Sequence, residues 1–293
     1  MNNDDPKKLL LGIILVICAG VLLATMDALS KQLTGSFDTV QVLWGRYFFH
    51  TLIIFVVLSR KLDFSFLKSR QPYLQLRRSI MLIGATATMY LSLRYIPLAN
   101  ATSIQFFAPV LVTVFAGLFL GEKVGIHRQL AAMIGFCGVL VIMQPGVGDF
   151  NFYALLPLAT AFMLATYLLM TRQLIGKDDE RCTQFYATAI GSVLLSFIVP
   201  WTWTPPTGIE FCMMVAQGSL GALGHFLILR AFQFAPASLL SPFLYSQLLA
   251  ATVWSVFYFE DEPSSGLLVG ATILVGSGLY IWWRERNKKL AKS

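Results

Sequence analysis

The sequence predicts an all-α integral membrane protein with ten transmembrane helices. Hydrophobic residues occupy 56% of its 293 positions and charged residues only 13%, whereas a soluble domain carries about 25% charged residues. Apolar runs recur along the whole chain, and about 20 such residues suffice to cross a bilayer core of roughly 30 Å. Little of the chain is left over for a soluble domain.

The helices are assigned to the apolar runs that lie between polar breaks. They are predicted near residues 9–31, 40–58, 78–95, 99–120, 127–144, 152–171, 182–200, 209–229, 236–259 and 264–283. Turn-forming residues follow several runs, namely Pro97, Pro145-Gly146, Pro205-Pro206 and Pro263. The breaks are short, as expected for helices that cross the membrane in succession.

The first run needs separate treatment, because Lys7 and Lys8 followed by apolar residues resemble a secretory signal. The apolar stretch continues past Leu23 to Leu29, and it contains no compelling small-residue cleavage site. More spanning segments follow. We therefore expect an uncleaved first helix.

The distribution of basic residues predicts that both termini are cytoplasmic, since cytoplasmic loops retain Lys and Arg. With ten alternating helices, nineteen of the 22 basic residues fall on the inner side. Lys31 and Arg94 lie at outer helix ends, and Arg46 lies within the second run. The net charge of +7 then follows from topology and requires no nucleic-acid partner. Contact with anionic lipid is compatible with the basic segment 59–78.

An internal repeat divides the chain into residues 1–150 and 151–293. Leu23-Ala24-Thr25 and Ser30-Lys31-Gln32-Leu33 are matched, 141 residues later, by Leu164-Ala165-Thr166 and Thr171-Arg172-Gln173-Leu174. A second match aligns 94–102 with 230–238. Each half contains five predicted helices. Because five is odd, the second half enters the membrane from the opposite side, which predicts an inverted-topology repeat.

Several short motifs occur in a characteristic order. The first half contains Asp27 to Lys31 (DALSK), Trp44-Gly45-Arg46, the segment 95–101 (YIPLANA) leading to Pro109, and Gly121-Glu122-Lys123. The second half contains 235–238 (APAS), Tyr245-x-Gln247-Leu248 and 259–263 (FEDEP). With these motifs in this order, the chain resembles the EamA-type branch of the drug/metabolite transporter superfamily over nearly its whole length. It departs at Phe259-Glu260-Asp261, where members often have Gly before the acidic residue.

The resemblance implies a secondary transporter of five plus five helices, without a cofactor. Its expected substrate is a small organic metabolite, first an amino acid or an amino-acid-like or aromatic solute, with export favoured. Uptake or exchange of a nucleoside-like, vitamin or sulfonium metabolite, such as S-adenosylmethionine or riboflavin, is the alternative on the same fold. The expected location is the bacterial inner membrane, and monomer and homodimer both remain open.

Charged residues inside a bilayer are costly and commonly functional. Asp27 and Lys31 are four residues apart, so they share a helix face and can form a charge pair. Arg46 and His50 repeat this spacing on the second helix. A guanidinium is suited to a carboxylate or phosphate, and the alternative for Arg46 is a salt bridge to Asp27 or bonds to helix-end carbonyls.

Further polar and aromatic residues are candidates for the cavity. His225 lies among small residues, where it either hydrogen-bonds in packing or relays protons; a proton is thus one candidate coupling ion. Neutral amides can bond either a polar solute or a neighbouring helix, and these are Asn100, Gln105, Gln217 and Gln247. On helices that the family uses to line its cavity, the aromatic candidates are Trp44, Tyr90, Phe106, Phe107, Tyr167 and Tyr245.

Pro109 and Pro242 lie at similar places in the fourth and ninth helices. Proline removes a helix hydrogen bond and bends the segment. Paired bends of this kind are expected to act as hinges when a transporter alternates between two openings.

The sequence lacks the motifs of enzymes and ATPases. It contains no Walker loop, Gly-rich dinucleotide turn, nucleophile elbow or His/Cys metal cluster. Three histidines, His50, His127 and His225, are too dispersed for a lipid-modifying enzyme, which is the remaining alternative outside transport. The predicted protein is therefore not an enzyme, has no metal site, and works in the lipid bilayer on a small molecule.

Overall fold

A computed structural model describes residues 6–60, 64–120, 126–144, 151–235 and 237–290. All regular structure in these ranges is helical. The helices are α1 Pro6–Ser36, α2 Thr39–Ser59, α3 Pro72–Leu93, α4 Leu98–Gln105, α5 Ala108–Leu120, α6 Ile126–Met143, α7 Leu155–Leu174, α8 Glu180–Ile198, α9 Gly208–Phe234, α10 Ala237–Leu240, α11 Ser246–Phe257 and α12 Ser265–Leu290. Short 3-10 segments lie at Ser65–Leu67, Phe152–Ala154, Val199–Trp201 and Ser241–Tyr245.

Six of these segments are long and apolar enough to cross a membrane. They are Lys7–Ser36, Thr39–Ser59, Phe152–Leu174, Glu180–Trp201, Gly208–Phe234 and Ser265–Arg284. Shorter apolar helices cover Leu98–Val112, Gln129–Met143 and Pro242–Phe257. The prediction of an all-helical membrane protein is thereby confirmed, while the count of ten crossings and the placement of the termini stay predictions.

Helix starts follow from local sequence. The Asp38 carboxylate accepts a hydrogen bond from the Val40 amide at the start of α2. Asp179 accepts one from the Arg181 amide before α8. Thr207 and Glu210 form a capping box that starts α9. Each of these side chains satisfies amides that have no partner within the first helical turn.

Several predicted helices differ from the structure at their starts or ends, and α1 and α3 are two examples. α1 extends to Ser36, so Lys31 lies within the helix instead of at its end. α3 starts at Pro72, six residues earlier than predicted. The polar residues of its first turns interrupt the apolar run on which the prediction relied, although Pro at the first position favours a helix start.

The predicted helices 99–120 and 236–259 are each broken in the structure. The fourth ends as α4 at Gln105 and resumes as α5 at Ala108, beside Pro109. The ninth consists of α10, a 3-10 segment containing Pro242, and α11. The proline ring cannot accommodate a regular helix hydrogen bond. The two broken helices contact each other through α4 and α11.

The helices form two groups that mix the two halves of the sequence. In the first group, α1 packs along α9 and α11, and α2 packs along α9. In the second, α7 packs along α3, α4 and α5, and α8 packs along α3. Exchanging α1, α2 and α3 with α7, α8 and α9, and α11 with α4 and α5, converts the first set of contacts into the second. Contacts of α2 with α8 and of α1 with α3 connect the groups.

The remaining pair, α6 and α12, meets through glycine. A Cβ atom at Gly138 would lie 2.8 Å from the carbonyl oxygen of Gly270, and one at Gly270 would lie 2.5 Å from that of Gly138. Side chains at these positions would collide with backbone. The two glycines therefore allow close contact of the helix backbones, as is common in membranes.

Candidate functional site

The polar centre of the molecule is built on α1, α2, α3 and α11. Asp27 of α1 is only 5% exposed, and its Oδ2 accepts a hydrogen bond of 3.2 Å from Gln247 Nε2 of α11. Arg46 of α2 is half-buried and lies within electrostatic range of Asp27. A carboxylate and a guanidinium thus share one buried region.

Tyr90 of α3 positions the Arg46 side chain. Arg46 Nη1 donates to Tyr90 Oη over 3.3 Å, and the guanidinium carbon lies 5.4 Å from the centre of the Tyr90 ring. A second ring, that of Tyr47, lies 6.0 Å away, and Tyr47 is anchored through Thr86 Oγ1 at 3.0 Å. Tyr90 is completely buried. It therefore holds Arg46 in place and does not line open space.

The two central charges have only neutral hydrogen-bond partners. Among the described residues, Asp27 receives its side-chain bond from an amide, and Arg46 gives its bond to a phenol. No opposite charge in the described ranges lies within 4.0 Å of either group. Both groups thus keep the capacity to bind an opposite charge on a ligand.

The predicted pair of Asp27 with Lys31 is wrong. Lys31 Nζ lies 3.2 Å from Asp261 Oδ2, and it also donates to the Ile96 carbonyl over 3.3 Å. The ammonium lies 4.8 Å from the centre of the Phe259 ring. Its partner Asp261 belongs to the segment Phe259-Glu260-Asp261. The sequence departs from the family pattern in this same segment.

Gln217 has a packing role. Its Nε2 donates to the Val42 carbonyl over 2.9 Å, and its Oε1 accepts from Ser30 Oγ at 2.9 Å. The residue is completely buried. It thereby ties α9 to both α1 and α2, which agrees with the interhelical alternative for this amide.

His50 and His225 face each other across α2 and α9. Their ring centres are 5.7 Å apart, with an angle of 41° between the planes. His50 is buried at 3% exposure, whereas His225 is exposed. The structure therefore brings together two residues that are 175 positions apart in the sequence.

The aromatic candidates Phe106 and Tyr245 meet at the breaks in the two discontinuous helices. Their ring centres are 5.3 Å apart. Beside them, Gln105 Oε1 is buried and has no hydrogen-bond partner. Pro109 is exposed and Pro242 half-buried. The rings and the free acceptor lie next to the breaks, where the chain can bend.

Arg78 is the residue that the sequence analysis missed. The sequence places it at the end of the basic segment 59–78 and the start of the third predicted helix, whereas in the structure it lies within α3 and is 2% exposed. Nε donates to Thr171 Oγ1 over 2.7 Å, Nη1 to the Thr183 carbonyl over 2.9 Å, and Nη2 to Tyr167 Oη over 2.9 Å. Tyr167, a predicted substrate contact, instead binds this guanidinium, which also lies 4.7 Å from its ring centre.

A loop carboxylate extends this network. Gln75 Oε1 accepts from Arg78 Nη1, and Gln75 Nε2 donates to Asp178 Oδ2 over 3.0 Å. Partial burial would raise the pKa of Asp178, but the bonds from Ser69, Gln75 and two backbone amides outweigh it and lower that pKa below its ordinary value. Asp178 therefore stays ionised and fixes the loop that precedes α8.

Asn100 lies apart from the central charges. It lines a cavity of about 260 Å³ with Ile96, Pro97, Gln144 and Asn151 among its neighbours. Trp44 likewise lies elsewhere, donating from Nε1 to Ser196 Oγ over 2.9 Å and packing against Trp203. Phe107 is buried, and its ring centre lies 5.9 Å from that of the exposed Phe136.

Comparison with models of protein families shows which family this chain belongs to. The model of the EamA-like transporter family matches the chain twice, over residues 10–144 and 151–283. The chain belongs to the EamA-like transporter family. This EamA-like chain is accordingly a membrane transporter, which confirms the recognised resemblance and the prediction that it is not an enzyme.

Curated relatives of this EamA-like transporter span nearly its full length. It is 26% identical over 287 residues to the S-adenosylmethionine uptake transporter of Rickettsia felis, covering 97% of each chain. It is 28% identical over 214 residues to the riboflavin transporter of Vibrio cholerae, covering 73% of this chain and 72% of the other. It is 23% identical to the pseudopaline exporter CntI of Pseudomonas aeruginosa, covering 90% and 93%.

A solved crystal structure shares the fold of this EamA-like transporter. The two superpose with a TM-score of 0.64 at 18% sequence identity, over 91% of this chain and 95% of the other. At this level of identity the match concerns the arrangement of helices. Within the described part of the chain, no group of three metal-binding side chains comes together.

Proposed function

We propose that the protein is a secondary transporter of a zwitterionic, amino-acid-bearing metabolite. The observation that carries the proposal is the pair formed by Asp27, which is buried, and Arg46, which is half-buried, each with only neutral hydrogen-bond partners among the described residues. The guanidinium offers paired donors to the carboxylate of such a solute, and Asp27 offers an acceptor to its cationic group. Binding both ends would offset the cost of removing two charges from water.

S-adenosylmethionine is the first substrate to test, and uptake is the first direction. The molecule combines an amino-acid group with a positive sulfonium, so it carries both charges for which the centre has complements. Four relatives named as S-adenosylmethionine uptake transporters match nearly the whole chain, at 25% to 27% identity. The amino-acid export predicted from the sequence remains a prediction within the same chemical class.

Riboflavin is the second candidate, because another relative carries that name. Riboflavin has neither a carboxylate nor a cationic group, so it would leave Asp27 and Arg46 unmatched. The aromatic pair Phe106 and Tyr245 is the feature that favours it, since its flat rings can stack. The central charges favour the zwitterion.

The proposed topology has ten crossings in two inverted repeats, 1–150 and 151–293, with both termini in the cytoplasm of a bacterial cell and the protein in the inner membrane. Support comes from the two stretches matched by the family model and from the exchangeable contact sets of α1–α3 and α7–α9. The basic inner segments supply the orientation.

In the proposed cycle, the two helix groups rock about the central charges. Lys31, bonded to Asp261 and to the Ile96 carbonyl, joins the first group to the α3–α4 connection of the second. Ser255 adds a contact by accepting from the Ala99 amide over 3.3 Å. Opening at this end would break these bonds, while the broken helices at Pro109 and Pro242 bend.

Proteoliposomes test the proposal directly. Vesicles preloaded with unlabelled S-adenosylmethionine should accumulate the radiolabelled compound from outside by exchange, and unlabelled riboflavin should compete poorly. Asp27→Asn should abolish this exchange, whereas Asp38→Asn, which changes an exposed helix cap, should retain it. Exchange of riboflavin without exchange of any amino-acid-bearing solute would refute the proposed substrate class.

A further inference from the structure

We propose that His50 and His225 bind the proton that is transported with the solute. Their protonation becomes favourable when the carboxylate of the solute binds to Arg46. The inference rests on the proposed function and adds its coupling ion. It concerns two residues that hydrogen-bond no other described group.

The geometry isolates the two imidazoles as a pair. Their ring centres are 5.7 Å apart, and the close packing of α9 on α2 makes this possible. A Cβ atom at Gly221 would lie 3.2 Å from His50 Nδ1, and one at Gly218 would lie 3.0 Å from the His50 amide nitrogen. His50 is buried, and His225 is exposed on the surface of α9.

Arg46 is the charge that governs this pair. It lies one helical turn before His50 on α2, and it acts electrostatically on both histidines. From α1, Asp27 faces Arg46, and from α3, Tyr90 bonds to it. A proton on either imidazole would add a second positive charge beside Arg46, in surroundings where charges interact strongly. An empty site therefore disfavours protonation.

A bound carboxylate reverses this balance. It cancels the charge of Arg46, so the histidine pair can take up a proton at physiological pH. By linkage, protonation of the pair must strengthen carboxylate binding by the same factor. Solute and proton are then bound together and released together. The expected result is transport of both in the same direction, without a covalent step.

The experiment uses the full-length protein in proteoliposomes, with the membrane potential held at zero by valinomycin and equal potassium. A pH difference of one unit, acid outside, is imposed. If one proton accompanies each solute, radiolabelled S-adenosylmethionine should accumulate about tenfold at equilibrium. Exchange without a pH difference is measured in the same vesicles. It reports solute movement independently of the proton.

The double variant His50→Gln with His225→Gln should exchange S-adenosylmethionine with weaker apparent affinity, because the linked protonation is lost, and it should lose the accumulation. The matched control is His127→Gln on α6, whose ring bonds to Tyr280 Oη of α12 at 3.1 Å. The control should accumulate solute like the unmodified protein. Glutamine preserves hydrogen bonding and removes the titrating group.

The outcomes separate the two proposals. Exchange by the unmodified protein without any response to the pH difference would overturn the proton coupling and leave the proposed function standing. Accumulation by the double variant equal to that of the unmodified protein would place the proton elsewhere and also overturn the inference. If no amino-acid-bearing solute is exchanged at all, both proposals fall together.

Discussion

Arg78 of α3 and Gln217 of α9 make matching hydrogen bonds in the two helix groups. Gln217 contacts the Ser30 hydroxyl on α1 and the Val42 carbonyl on α2. Arg78 contacts the Thr171 hydroxyl on α7 and the Thr183 carbonyl on α8. Thr171 and Thr183 follow Ser30 and Val42 by the same 141 residues. Equivalent hydroxyl and carbonyl groups are therefore bonded in both helix groups, but the Ser30 hydroxyl donates to an amide oxygen, whereas the Thr171 hydroxyl accepts from a guanidinium.

Loss of the Arg78 hydrogen bonds should destabilise the second helix group. Arg78→Ala removes a buried charged donor and leaves Thr171, Tyr167 and Thr183 with unsatisfied acceptors, at a cost of about 3 kcal/mol. Thermal unfolding in detergent should show the loss. Arg77→Ala, at the exposed neighbouring position, is the control and should change stability little. Equal stability of the two variants would contradict the structural role of Arg78.

Arg46→Ala should abolish transport while leaving expression intact. Loss of a charge-assisted bond to a solute carboxylate costs about 3 kcal/mol, which corresponds to roughly a hundredfold in affinity. Binding of S-adenosylmethionine to purified protein measures the change. Tyr90→Phe, which removes only the phenol that positions Arg46, should weaken binding less. Normal transport by Arg46→Ala would show that Arg46 has only a structural role.

Lys31 and Asp261 should be energetically coupled. A double-mutant cycle of Lys31→Met and Asp261→Leu should give a coupling of about 1 kcal/mol, because the pair is partly buried and its charges are adjacent. Thermal unfolding of the four proteins supplies the cycle. A second cycle of Lys31→Met with Asp27→Asn should show weaker coupling. A coupling energy of Lys31 with Asp27 that exceeds its coupling energy with Asp261 would support the pair that the sequence predicted.

The contact of α6 with α12 should not tolerate a methyl group. Gly138→Ala and Gly270→Ala each place a Cβ against backbone of the opposite helix, so each should cost about 1 to 3 kcal/mol. Gly276→Ala is the matched control on α12, because no atom lies within 4 Å of its added Cβ. It should be neutral or slightly stabilising, since Ala favours helix over Gly. Similar losses at all three positions would refute the packing explanation.

The proposed topology predicts which residues face the cytoplasm. In a background without the native cysteines, Lys68→Cys and Lys288→Cys should react with a membrane-impermeant maleimide only when the inner face is accessible. Glu262→Cys should react from the outside. Labelling of positions 68 and 288 from different sides would exclude ten crossings with both termini inside.

Parts of the candidate site could be predicted from the sequence. Asp27, Arg46 and Gln247 were identified because charged and amide groups in apolar runs are costly and therefore conspicuous. Arg78 was not, since it lies among other basic residues at the start of α3 and looks like part of a loop. Its burial depends on acceptors from Thr171, Tyr167 and Thr183, which are supplied by helices about 90 to 105 positions away.

The partner of Lys31 shows the same limit. Helical spacing brings Asp27 to the same face, and that local relationship is visible in the sequence. The actual partner, Asp261, follows α11 and is 230 residues distant, so only the packing of α11 on α1 brings it close. Spacing along one helix cannot report such a contact.

The sequence by itself determined that this chain lies in a membrane, that its regular structure is helical, and which family it belongs to. The physical reason is that apolar length and local backbone preference are properties of contiguous residues. Tertiary structure alone decided that Asp27 bonds to Gln247, that His50 meets His225, and that the helix groups mix the two halves. These relationships depend on which helix faces pack together, because side chains distant in sequence share a site only after that packing.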